Sequence, residues 1–352
     1  MSMDESHQTV VIGGGQAGLA AGYFLAKQSD NFTILDENKR TGHTWRNRWD
    51  SLRLFTPSKY NGLPGMPFPK PDFYYPAKDE VADYLEAYAG RFKLPVQHGV
   101  KVEALTRNDQ GYRLTTGAGS FHARNVIVAT GPYQKPYTPA FAGQLDPAIL
   151  QMHSSAYRNP GQMPAQNIIV VGAGNSGAEI ALELARAGKR VWLAGRDVGR
   201  IPADKVGRVL GGRPYWWFIS RVLSVDSPIG RKMKSMVFYH GAPLIRASRQ
   251  ELVKAGVESA ARVSGVLSGK PQFEDGSSLP AEAVIWATGF RPDYRWIDLP
   301  VFDDHGYPRH RRGIVQDAPG LYFVGLHFQT ALSSALLGGV GAEARHIVQQ
   351  II

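Results

Sequence analysis

Between residues 8 and 37 an apolar run (Thr9, Val10, Val11, Ile12) leads straight into a glycine turn, Gly13-Gly14-Gly15-Gln16-Ala17-Gly18. A helical pattern through Leu19, Tyr23 and Leu25 follows, then a second apolar run, Phe32-Thr33-Ile34-Leu35, which closes on Asp36-Glu37. Strand, glycine turn, helix, strand and acid within about 30 residues make the βαβ unit that binds a dinucleotide. Gly13 permits the tight turn, Gly15 lets the backbone approach a pyrophosphate at the helix N-terminus, and Gly18 lets helix and strand pack closely. Gln16 and Ala17 enter the helix between the last two glycines, and Asp36 or Glu37 can accept hydrogen bonds from a ribose diol.

The pattern returns once. Asn167-Ile168-Ile169-Val170-Val171 runs into Gly172-Ala173-Gly174-Asn175-Ser176-Gly177, a helical stretch follows over 178–187, and Arg190-Val191-Trp192-Leu193-Ala194 is the next strand. Repetition with full strand and helix context implies two nucleotide-binding folds in one chain. The copies end differently. Asp36-Glu37 suits a free ribose diol, whereas Gly195-Arg196, with Arg200 and Lys205 behind it, suits a 2′-phosphate that an acid would repel. The first unit is therefore expected to hold FAD and the second NADPH, with NADH an acceptable alternative.

Two further strands run into Ala-Thr-Gly, at residues 129–131 and 287–289, and Gly320-Leu321-Tyr322-Phe323-Val324-Gly325 resumes the style of the first unit. The expected fold is α/β: two Rossmann-like dinucleotide-binding domains, the NADPH domain (164–282) inserted into an FAD domain made of 1–163 and 283–352. Residues 331–352 read as a closing helix. The proline- and aromatic-rich stretch over 55–75 reads as an ordered loop lying over something, because a bare surface loop seldom carries so many large rings. Residues 204–250 are basic and aromatic and are expected to line or lid a substrate cleft.

Composition removes several function classes. The chain has no cysteine, which excludes disulfides, thiolate zinc sites, a cysteine nucleophile and a dithiol redox pair; no metal site is expected. Its 40 Lys and Arg against 30 Asp and Glu give a net charge of +10, but the basic residues are spread along the chain without a nucleic-acid motif, so phosphate-bearing cofactors are the expected anionic partners. No run of about 18 apolar residues appears and the first seven residues are polar, so a cytoplasmic protein without a membrane span is expected. A homodimer is the default assembly.

These residues resemble the flavin-dependent monooxygenases with two dinucleotide-binding domains, most nearly the short bacterial flavin-containing monooxygenases and the plant indole-pyruvate monooxygenases. The likeness extends over nearly the whole chain. It is carried by Gly42 and Trp45, by Leu52-Arg53-Leu54-Phe55-Thr56-Pro57 through Leu63-Pro64-Gly65-Met66-Pro67-Phe68-Pro69, by Gly174-Asn175-Ser176-Gly177 and by Ala287-Thr288-Gly289-Phe290. The resemblance implies that Trp45, Thr56, Val102, Thr130, Gly131 and Gly325 lie along the FAD and that Thr288 and Gly289 join the cofactor-binding set. His153 and Tyr157 match the second half of the family fingerprint, Pro147 and Ile149 stand at its Phe and Gly positions, and residues 55–60 lack the asparagine that larger members carry near the flavin.

By this resemblance NADPH reduces the flavin, the reduced flavin captures O₂ as a C4a-hydroperoxide, and one oxygen passes to a small soft nucleophile (a sulfide or amine) or to a ketone. No side chain is then the nucleophile, and none is named as catalytic. The alternatives are an NAD(P)H oxidase or diaphorase that reduces O₂ or a quinone without inserting oxygen, and a non-enzymatic redox sensor.

Overall fold

The computed structural model describes residues 3–28, 30–201, 209–240 and 243–351. The chain opens with β1 (Met3–Ile12), α1 (Gln16–Lys27) and β2 (Phe32–Asp36), followed by α2 (His43–Arg46), α3 (Lys78–Arg91), β3 (Val96–His98), β4 (Val102–Asn108), β5 (Gly111–Thr116) and β6 (Gly119–Val128). The six strands lie in the order β3-β2-β1-β6-β5-β4. β1, β2, β3 and β6 run parallel, with Val10 between Thr33 and Val126; β4, β5 and the first half of β6 form an antiparallel meander. Their residue patterns follow from what covers them. Every residue of β2 is buried, as in a parallel strand covered on both faces, whereas β5 alternates, with Tyr112 and Leu114 inward and Arg113 and Thr115 in solvent.

The chain then crosses to a second sheet through β7 (Lys135–Pro136). That sheet has the order β11-β10-β9-β14-β8, all parallel: β8 (Leu150–His153), β9 (Asn167–Val171), β10 (Arg190–Ala194), β11 (Glu258–Ala260) and β14 (Ala283–Trp286). The helix after β9 is α4 (Asn175–Arg186), and β12 (Val263–Leu267) and β13 (Lys270–Phe273) form a separate ribbon. β15 (Phe290–Arg291) pairs antiparallel with β7, and β16 (Leu321–Phe323) then returns to the first sheet, beside the second half of β6. The second unit is thus inserted between two strands of the first. Its sheet reaches beyond 164–282, because β9 takes its inner neighbour from β14 and β14 takes its own from β8; both flanking strands lie outside the range read from the glycine motif.

The loop over 55–75 is held down by tyrosines of α3. Tyr84 Oη donates to Met66 O (2.7 Å) and accepts from Leu63 N–H (2.6 Å), and Tyr88 Oη donates to Pro64 O (2.7 Å). The described part of the basic aromatic segment is largely helical. It contains α5 (Arg213–Trp217), a π turn (Phe218–Val222) and α6 (Pro228–His240), followed by α7 (Arg249–Lys254). It crosses back to the first unit, where Trp216 stacks on Tyr60 (4.8 Å, 11°), Val225 N–H donates to Thr330 O and Leu332 N–H to Leu223 O. Lys205 lies outside the described residues.

The closing helix is shorter than expected: only α8 (Val340–Val348) is helical. Ahead of it Ser334 Oγ accepts from Thr330 N–H and Ala331 N–H, local bonds that compete with a helix, and a side chain on Gly338 or Gly339 would strike Tyr60 O or Ser333 O.

Candidate functional site

The two glycine turns are built alike. Gly13 (φ +108°) and Gly172 (φ +110°) are left-handed, and a Cβ on either would press on the strand exit beside it, at Ala129 O and Ala287 O. Gly13 N–H bonds Leu35 O (2.7 Å), as Gly172 N–H bonds Ala194 O (2.8 Å). Gly18 and Gly177 lie so close to their own turns that a Cβ would strike Gly13 O or Gly172 O. Gly15 (φ −79°, ψ −172°) and Gly174 (φ −75°, ψ −175°) are the N-caps, and nothing stands within 4 Å of where their Cβ atoms would be.

The helices that follow, α1 and α4, have no side-chain cap and no acid in the first turn. Their leading N–H groups have no side-chain partner among the described residues and stand beside glycines with open space around them, which suits an anion. Helices α3 and α7 are different: Glu80 accepts from Ala77 N–H (2.9 Å) and Glu251 from Ser248 N–H (2.9 Å). The residues present therefore fit two pyrophosphate-bearing cofactors.

At the end of β2 the two acids divide. Asp36 is buried: Oδ2 accepts from Gly14 N–H (3.1 Å) and Oδ1 from Asn38 N–H and Nδ2 (both 2.8 Å). Its carboxylate braces the turn, which leaves exposed Glu37 as the group open to a ribose. Val102 starts β4 just past Val100, whose N–H bonds Asp36 O (2.9 Å), so its segment runs beside that strand end. Trp45 Nε1 donates to Gln16 Oε1 (3.2 Å), which ties α2 to the start of α1. Gly325 abuts α1 from the other side, with a Cβ there 2.8 Å from that of Ala17. Buried Gln329, absent from the expected set, fixes Gly325 by accepting its N–H (3.0 Å).

Three of the expected residues have protein partners. Asn175 Nδ2 donates to Pro243 O (3.0 Å) and its Oδ1 accepts from Ile245 N–H (2.9 Å); Ser176 is in the first turn of α4. Thr288 Oγ1 donates to Tyr137 O. Thr56 is buried and donates to Asn61 Oδ1 (2.5 Å), while Asn61 Nδ2 donates back to Thr56 O (2.8 Å). Arg196 follows Gly195, whose Cβ would lie 3.0 Å from Ala173 N, so it emerges next to the second turn; its exposed side chain makes no hydrogen bond among the described residues.

The two strand exits meet. Thr130 and Gly131 (φ +74°) carry the chain from β6 to Tyr133, and Gly289 (φ +82°) carries it from β14 to Phe290; the two rings pack edge to face at 5.4 Å. His153 sits behind Phe290 (5.2 Å). Ser155 N–H donates to its Nδ1 (3.1 Å), which places the proton on Nε2, where it bonds Gly289 O (3.0 Å). Burial lowers its pKa, so this histidine is a neutral brace between strand exits. Tyr157 is wholly buried and donates to Glu183 on α4 (3.0 Å); burial raises its pKa. At the same junction His327 packs against Tyr133 (5.1 Å), with its pKa pushed down to about 4 by burial, and Arg48 stands over Tyr133, its pKa also lowered by burial. Tyr133 remains 54% exposed, open to solvent at this junction. Sequence reading singled out neither Arg48, Tyr133 nor His327, because no motif links three residues so far apart in the chain.

Two open grooves, about 480 and 420 Å³, lie elsewhere, along Leu63, Gly62 and Gly338 between the proline-rich loop, Trp216 and α8.

Residues 10–206 match the family described as pyridine nucleotide-disulphide oxidoreductase. The chain is 40% identical over 345 residues, 97% of each protein, to an uncharacterized oxidoreductase CzcO-like of Geobacillus kaustophilus. It is 28% identical to probable indole-3-pyruvate monooxygenase YUCCA9 of Arabidopsis thaliana, over 97% of this chain and 88% of that one. A solved flavin-containing monooxygenase from Stenotrophomonas maltophilia superposes with a TM-score of 0.79 at 28% identity, over 99% and 98% of the two chains. The dithiol chemistry in the family's description is closed to a chain without cysteine. The chain belongs to the pyridine nucleotide-disulphide oxidoreductase family, in its flavin-containing monooxygenase branch, and is a flavin-dependent oxidoreductase that uses a nicotinamide cofactor.

Proposed function

We propose that the chain is an FAD-dependent, NADPH-driven monooxygenase that places one oxygen of O₂ on a small soft nucleophile, a sulfide or amine, or on a ketone. The observation that carries this is that the strand exits beside the two uncapped glycine turns meet, through Tyr133 and Phe290, at one junction. When bound, a reduced flavin supplies the oxygen-activating chemistry. The protein's part is binding and exclusion. The first turns of α1 and α4 hold pyrophosphates, Glu37 meets the ribose diol of FAD, and Arg196 meets the 2′-phosphate of NADPH. Asp36, Gln329 and His153 stiffen the backbone around these positions without touching the ligands, and His153, held neutral, brings no charge to the junction.

One observation supports the oxidase as a second reading. Asn61 is fully buried and both ends of its amide are taken by Thr56, so the loop offers the junction no asparagine. Turnover with NADPH, methyl p-tolyl sulfide and isotopically labelled O₂ separates the two. Labelled sulfoxide formed in step with NADPH use is expected; peroxide in step with NADPH, whatever substrate is offered, would establish the oxidase.

A further inference from the structure

The junction of the two strand exits holds a polar cluster that the cofactor positions leave unused. Arg48 follows α2, Tyr133 follows β6, Phe290 follows β14 and His327 follows Gly325, so four separate segments converge. The Arg48 guanidinium carbon stands 5.7 Å from the Tyr133 ring centre and 5.8 Å from that of Phe290. Tyr133 meets His327 edge-on at 5.1 Å and 78°.

Among the described residues the Arg48 side chain makes no hydrogen bond and no ion pair. The one other charge that bears on it is a second cation, Arg158, whose Nη1 is already committed to Ser155 O (2.9 Å) and Tyr157 O (3.1 Å). His153, the other imidazole here, has both nitrogens occupied, whereas no partner takes the ring nitrogens of His327 or the hydroxyl of Tyr133 among the described residues. The Arg48 guanidinium has no counter-ion among the described residues and is only partly buried, so it is open to pair with an arriving anion. Its fork accepts a carboxylate bidentately, Tyr133 Oη and a neutral imidazole add donors without adding charge, and the faces of Tyr133 and Phe290 can carry an apolar body.

We infer that Arg48, Tyr133 and His327 form an oxyanion subsite for the substrate, so that the preferred substrates are small carboxylic acids bearing the oxidisable atom. The identity of the anion as substrate rests on the monooxygenase reading; a phosphate of the nicotinamide cofactor is the other source of the same chemistry.

The test is equilibrium binding to the flavin-loaded protein, followed by flavin absorbance, with (methylthio)acetate and (methylthio)acetamide, a pair that differs in charge but hardly in shape. The acid is expected to bind about ten- to a hundredfold more tightly than the amide. Arg48→Gln should abolish that preference with amide affinity and flavin content unchanged, and Arg48→Lys should restore part of it. Equal binding of acid and amide by the wild-type protein, a comparison that needs no variant, overturns the subsite, as does a preference that survives Arg48→Gln. If Arg48→Gln weakens NADPH binding while the acid preference persists, the oxyanion is a cofactor phosphate and the inference fails. Sulfoxide formation is scored separately: preference for the acid without oxygen insertion keeps the subsite and defeats the monooxygenase reading.

Discussion

Asp36 and Glu37 are adjacent carboxylates with different work. The side chain of Asp36 follows the strand alternation inward and is consumed by Gly14 and Asn38, while Glu37, one residue on, points out. The sequence places an acid at this strand end, but which acid faces the ligand depends on the pleat. Arg196 is the corresponding residue of the second unit, exposed beside Ala173. Arg196→Ala is expected to raise the KM for NADPH about ten- to a hundredfold and to leave that for NADH nearly unchanged. Steady-state kinetics with both cofactors check it, and equal effects would remove the 2′-phosphate role.

Among the elements, the paired turns were legible because glycine is required there by contact and not by preference: a Cβ at Gly18 or Gly177 would overlap a carbonyl of its own turn. The same contacts give a test of which turn holds which cofactor. Gly18→Ala should yield protein purified without its yellow flavin. Gly177→Ala should stay yellow yet fail to be bleached by NADPH under anaerobic conditions. The reverse pattern would exchange the two assignments. Elements whose limits depend on tertiary bonds were less legible. The expected closing helix shrinks to α8 because the Ser334 hydroxyl and the backbone of Tyr60 occupy the turn before it.

For the whole molecule, burial of histidines sets an acid limit. His310 and His327 are pushed down to about 4, and His153 and His346 are also lowered, in each case chiefly by burial; the charge of Lys234 adds to the effect at His310. A histidine whose pKa is depressed in the folded state binds fewer protons there than in the unfolded chain, whose pKa is about 6.5. Its contribution is therefore complete above about pH 6.5 and is lost as pH falls toward about 4. Glu179 and Glu343, raised by burial, act in the opposite sense, taking up protons in the folded state before the pH has fallen to the ordinary carboxyl value of about 4.3, and so offset part of this loss. The Tm should fall between pH 7 and pH 5, and His310→Gln should flatten that slope. An unchanged slope would show that His310 titrates normally.

By itself the sequence determined that there are two nucleotide-binding units, the glycines that make their turns, and the class of chemistry left to a chain without cysteine. Those properties rest on neighbours within about 30 residues, where strand, turn and helix are covalently tied together. Only the tertiary structure decided that β8 and β14 complete the second sheet, that Asn175 and Thr288 have protein partners, and that Arg48, Tyr133, Phe290 and His327 come together. Those outcomes depend on which distant segments pack together, and burial there sets whether a polar side chain finds a protein partner or remains open to a ligand.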